Sequence, residues 1–184
     1  MVRLGPDRKS HGVLIDWDLA SAATPNDVQD YTGTRTGTRT FMAAELFDSN
    51  VVKHILRYDW ESFLYYLMWV AFVTMSEEDK KKQIGELRTQ GEKDHVDLGS
   101  WMAKWPNKND VDLSSTKRDL LQAWGRNLHR GSICRFQSTV TAWIDPIWDL
   151  FVQGNCERFR PGVDFETLGV LSYESLCAIL DSAE

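Results

Sequence analysis

The longest unbroken apolar run in the chain is Phe63–Val73, where every side chain is aliphatic, aromatic or Met. A helix that is apolar on all sides belongs inside a domain. The run is far shorter than the roughly 20 residues needed to cross a bilayer. Asp59 precedes it as a candidate N-cap, and Glu61 follows in the first turn, where the helix dipole favours an acid. The pattern predicts a buried central helix with Asp59 at its mouth.

The other elements arrange themselves around this run. Gly12–Ile15 is a short apolar stretch whose Val and Ile favour a strand, followed at once by Asp16-Trp17-Asp18. Ser21 to Thr40 reads as loop and contains the duplication Thr32-Gly33-Thr34-Arg35-Thr36-Gly37-Thr38-Arg39. Phe41–Phe47 has the composition of a short helix. Glu77–Gln90 is mostly polar and predicts a solvated surface helix ended by Gly91, with Glu78 and Lys82 spaced for an i,i+4 pair. Trp101, Trp105 and Pro106 return the chain to the core. Thr116, with Asp119 three residues on, is a candidate N-cap for a helix carrying Leu120, Leu121, Trp124 and Leu128. Val140, Trp143, Ile144, Ile147, Trp148 and Phe151 form a further apolar series, which Pro146 should kink or divide. Ser172 is placed to cap a last helix with Leu176, Ile179 and Leu180. The sum is mainly α, with one short strand and about six helices, and no polar gap separates two domains.

Composition narrows the function. The 184 residues carry a formal charge of -6 and a pI of about 5.2. That balance argues against a general nucleic-acid binder and offers no attraction to anionic membranes. Cys134, Cys156 and Cys177 are widely spaced without a CxxC pair, and the four histidines are scattered. Buried thiols in a reducing compartment are expected rather than a zinc site or a disulfide framework. The stretch Met1–Ser10 is charged and lacks the apolar core of a signal peptide. The expected location is intracellular, cytoplasmic or nuclear.

Three segments in this order carry a resemblance: Gly12-Val13-Leu14-Ile15-Asp16-Trp17-Asp18-Leu19-Ala20, then Arg35-Thr36-Gly37-Thr38-Arg39-Thr40-Phe41-Met42-Ala43-Ala44-Glu45, then Tyr58-Asp59-Trp60-Glu61-Ser62-Phe63. Together they resemble the second half of a eukaryotic-type protein kinase domain, most closely the fungal-type protein kinase family. The likeness is strong over about residues 11–73 and looser in the helices beyond. It implies a single partial domain over residues 1–184: a kinase-like large lobe with a short residual β segment and no small lobe. Within it, 11–75 would hold the metal motif, activation segment and central helix, and 76–184 the remaining helices.

By this resemblance Asp16 is the cofactor-binding and metal residue, coordinating the magnesium that bridges the ATP phosphates, as a hard cation requires. Trp17 would pack beneath the site, and Asp18 stands where glycine is usual. Ser21–Thr40 would be the activation segment, its threonines and Tyr31 candidate phosphorylation sites. Gly37 and Thr38 would face the acceptor peptide. Glu45, in Ala-Ala-Glu where Ala-Pro-Glu is usual, would form a structural ion pair with an arginine of a later helix; Arg118 and Arg126 are candidates. Asp59 would accept backbone hydrogen bonds from the catalytic loop. Read without the resemblance, Glu45 is a solvated helix residue and Asp59 only a cap.

The same family pattern requires a glycine-rich loop, a strand lysine with its helix glutamate, and a His-Arg-Asp loop with a later Asn. None of these occurs in the 184 residues. No catalytic residue is therefore assigned. The expected activity is that of the family, ATP-dependent phosphoryl transfer to protein hydroxyls, with Mg2+ and ATP the cofactors of intact relatives and no competent transfer expected from these residues alone. The alternative is a non-catalytic scaffold or regulator. In either case exposed large-lobe surface predicts a protein partner or self-association, with no nucleic acid and no membrane.

Overall fold

The computed structural model describes residues 2–4, 10–12, 37–47, 56–89, 97–124, 133–136, 138, 140–157 and 173–182. Two short strands, β1 (Val2–Leu4) and β2 (Ser10–Gly12), pair antiparallel with Val2 opposite Gly12. The expected strand at Gly12–Ile15 thus falls only at its first residue on described structure. The α-helices are α1 (Leu56–Met68), α2 (Glu77–Thr89), α3 (Leu98–Met102), α4 (Asp110–Trp124), α5 (Asp145–Glu157) and α6 (Tyr173–Asp181). The chain is mainly α, as its apolar spacing predicts.

The central run begins three residues before Asp59, so Asp59 is an exposed first-turn residue of α1 and not its N-cap. After Met68 the run loosens into a π-helical turn, Trp69–Val73. Leu64, Tyr65, Leu67, Met68, Ala71 and Phe72 are buried, but Tyr66 is 51% exposed. The expectation of a helix enclosed on all sides is therefore corrected. One face enters the core, and on the other the edge of Phe41 meets Tyr66 and Trp69 at 5.6 and 5.7 Å.

The core forms where α1, α3, α4 and α5 converge, and its largest members are Trp105, Trp148, Tyr65, Phe72 and Phe151. α3 packs against the π-turn at Gly99, where an added Cβ would lie 2.9 Å from the Phe72 carbonyl carbon. No side chain fits there without moving backbone. α2 is solvated, as its sequence predicts. Its ion pair is Lys80–Glu77 at 2.8 Å, i,i+3, rather than Glu78 with Lys82. Ser76 caps it through the Asp79 amide at 3.1 Å.

α4 starts well before Thr116. Asn109 accepts from the Asp112 amide at 2.9 Å and donates to the Asp112 carboxylate at 2.8 Å, a reciprocal cap that initiates the helix. Thr116 is a buried mid-helix residue. The later apolar series divides where Pro146 predicts. A π-turn at Val140–Ile144 gives way to α5 at Asp145, and proline occupies the first turn, where its missing N–H costs nothing. Cys134 and Cys177 are not in disulfides, and the Cys134 thiol has its pKa raised by burial. Among the described residues no helix is long and apolar enough to cross a membrane.

Candidate functional site

Residues 37–47 form a turn and a 3-10 turn (Ala44–Phe47) laid across α1 and α4. Gly37 has φ +134°, a conformation that other residues adopt only with strain. The Thr38 carbonyl accepts from the amides of Phe41 at 2.8 Å and Met42 at 3.3 Å. Gly37 and Thr38 stand exposed at the tip. Arg39 then reaches α4: its Nε donates to Asp110 at 2.7 Å and its Nη2 to the Lys108 carbonyl at 2.6 Å.

Deeper in, the backbone of the segment is held by buried side chains. The Ala44 amide donates to Glu61 Oε1 at 2.7 Å, and the Ala44 carbonyl accepts from Ser114 Oγ at 2.9 Å. Lys117 Nζ donates to the Met42 carbonyl. Glu45 accepts from Arg57 at 3.0 Å and from the Tyr58 hydroxyl at 3.1 Å. Arg118 and Arg126 are only candidates for this pairing in the sequence, and the structure brings Arg57 to Glu45. Arg57 lies in the first turn of α1, 12 positions from Glu45. Arg118 is exposed on α4, and Arg126 lies outside the described residues.

Electrostatics follow from burial. Glu61 is 1% exposed, so desolvation raises its carboxyl pKa, while the Ala44 amide and the Tyr65 hydroxyl at 2.7 Å pull it back. Among the described residues its Oε2 has no hydrogen-bond partner. Tyr65 is pushed well above the usual phenol value by burial and by Glu61. Tyr58 rises to about 12 through burial and the adjacent Glu45 carboxylate. The buried amine of Lys117 is driven down to about 7 by desolvation, against the attraction of Glu61.

Of the residues singled out from sequence, Gly37, Thr38 and Glu45 are brought together on this one segment. Asp59 is exposed at the start of α1. Asp16, Trp17, Asp18 and Tyr31 lie outside the described residues. Among those described, no group of three His, Cys, Asp or Glu side chains could hold a metal ion. Glu61, Ser114 and Lys117 were missed as site residues. Their signal was nonetheless present. Glu61 stands at i+4 from Arg57 and i-4 from Tyr65, and Lys117 sits between Leu113 and Leu120 on the apolar stripe of α4. A charged residue in a buried stripe marks a polar contact with another element. What the arrangement does is hold backbone: it fixes the exposed Gly37–Thr38 turn against two helices.

The family model described as fungal protein kinase matches residues 3–71. No curated protein and no solved structure matches the chain. The matched span contains the anchored turn, Glu45 and most of the central helix, and over residues 3–71 the chain is similar to the fungal protein kinase family.

Proposed function

We propose that these 184 residues carry the large-lobe side of a Ser/Thr protein kinase domain. Its family activity would be ATP-dependent phosphoryl transfer to protein hydroxyls. The observation that carries this reading is the anchored segment 37–47. Glu61 and Ser114 occupy both backbone groups of Ala44, and the exposed turn ahead of it is left fixed in space. A fixed exposed turn is a platform on which an acceptor peptide can be positioned, and positioning is a main part of phosphoryl-transfer catalysis.

Asp16 is the residue that would hold magnesium, as a hard oxygen donor; the bound ion would neutralise charge on the nucleotide phosphates. Trp17 and Asp18 would flank it. The phosphate-covering loop and the His-Arg-Asp base do not occur in these residues. Loss of a single charge-stabilising group costs about 100- to 1,000-fold in rate, so these residues alone do not transfer phosphate. The test is isothermal titration calorimetry with Mg-ATP. The expected result is no saturable heat at high micromolar nucleotide, for the wild type and for Asp16→Ala alike. Saturable, magnesium-dependent binding lost in Asp16→Ala would overturn this reading in favour of a kinase completed by a partner.

A non-catalytic protein-binding role is the second reading, favoured by the half-exposed Tyr66 beside Phe41 and Trp69 near the same turn. Aromatic groups of this kind are enriched where proteins meet. It predicts self-association: mass from size-exclusion light scattering should rise with concentration. A monodisperse monomer at every concentration would sink it.

A further inference from the structure

Lys117 lies in the middle of α4 and is 0% exposed. Besides its bond to the Met42 carbonyl, its Nζ meets ring faces: Tyr65 at 4.5 Å, Phe47 at 5.2 Å and Trp105 at 5.3 Å. An ammonium offers three donors; here one carbonyl oxygen and the faces of three rings surround them. Among the described residues no carboxylate forms an ion pair with it. From α1, Glu61 faces it at longer range, its Oε1 already shared by Ala44 and Tyr65, and the Tyr65 hydroxyl points to Glu61. From the segment, Arg39 adds a like charge and is tied to Asp110, while Glu45 is engaged by Arg57 and Tyr58. The turn at Trp105 contributes an indole. On α4 itself, Arg118 and Asp119 are exposed.

We propose that Lys117 is a proton-operated latch on residues 37–47. As the neutral amine it holds the Met42 carbonyl and the segment stays docked; as the ammonium it favours release into water. The geometry supplies the reason: a fully buried cation with one oxygen acceptor, three ring faces and no ion pair among the described residues is only partly compensated for lost water, whereas an amine keeps the same bond without the charge. Burial correspondingly drives the group from its ordinary 10.5 to about 7 when docked.

The direction of the pH effect follows. Between about pH 7 and 10.5 the released segment leaves Lys117 protonated and the docked segment leaves it neutral. Docking therefore strengthens as pH rises through that window and is weakest below it. Glu61 acts in the opposite sense, because its carboxyl is raised from 4.5 and its contribution falls as pH climbs above that value. A variant at position 117 keeps Glu61 and separates the two. The latch deepens the proposed function as a regulation of the same turn. It rests on that reading only for its consequence, since docking is measured with neither nucleotide nor acceptor present.

Cleavage after Arg39 by trypsin requires the clamped segment to leave α4. The rate in the full chain, divided by that of a free peptide of residues 35–43, removes the protease's own pH dependence. From pH 7 to 9 this ratio is expected to fall at least tenfold, the limit being about tenfold per pH unit for one linked proton. In Lys117→Met the fall should be lost, the ratio staying level or rising with pH as Glu61 alone titrates. A flat wild-type ratio, or an equal slope in the variant, overturns the latch. So does a Lys117 side-chain carbon resonance that stays fully protonated through pH 9, a measurement on the wild type that holds whether or not the variant folds.

Discussion

Replacing Trp105 by alanine is expected to lower the unfolding free energy by about 3–5 kcal/mol, the usual cost of emptying a large aromatic site in a core. Trp105 is fully buried and packs edge-on against Tyr65 at 5.4 Å and Trp101 at 5.7 Å. It also forms one wall around the Lys117 amine. The variant loses apolar contact, leaves a cavity and opens the site of a buried lysine to water. Trp105→Phe should lose far less, because a ring still fills most of the space. It also removes an indole N–H that has no hydrogen-bond partner among the described residues. Urea unfolding with an unchanged m-value measures both. A loss under about 1 kcal/mol in Trp105→Ala would show that this indole is not a core member.

Glu61→Ala is expected to cost about 3 kcal/mol, for a different reason. It strands two buried donors, the Ala44 amide and the Tyr65 hydroxyl, and an unsatisfied buried donor costs about 1–3 kcal/mol. Glu61→Gln retains an oxygen for both and should be mild. The pair of variants also has a pH signature. The Glu61 carboxyl is raised above 4.5 by burial, so its contribution to stability is fully present at and below that pH and is lost as pH rises through its folded value. The stability of the wild type relative to Glu61→Gln should therefore decline from pH 4.5 upward. A pH-independent difference between them would show that Glu61 is not buried as a carboxyl.

Glu61 and Lys117 are residues that the sequence displayed without explaining. Glu61 looked like an ordinary first-turn acid, because an acid near a helix start is favourable even when fully solvated. Lys117 looked like an ordinary helix residue. The register that makes each of them internal is set by which face of α1 and α4 turns inward, and that depends on partners far away in the chain. Ser114 reaches Ala44 across 70 positions, and Lys117 reaches Met42 across 75. No local pattern encodes a bond of that span.

Local chemistry was more legible where the energy is local. The solvated α2 follows from its charges, and the break before α5 follows from Pro146. The cap of α4 shows the limit of that approach. Thr116 and Asn109 both offer capping chemistry, and Asn109 begins the helix because Asp112 completes its reciprocal bonds. The central helix was legible in existence but not in enclosure: the composition of Phe63–Val73 demands burial of some face, and it cannot specify how many sides are covered.

The sequence by itself determined that this chain is mainly helical and acidic, that it centres on one apolar helix, and that it resembles a fungal-type kinase through three ordered segments. Those properties follow from composition, periodicity and motif order. Only the tertiary structure decided that Glu45 meets Arg57, that Glu61, Ser114 and Lys117 hold the segment behind Gly37 and Thr38, and that Lys117 has no ion pair among the described residues. Those are properties of distance and dielectric: the same charged side chain is solvated on an open face and strongly perturbed on a closed one.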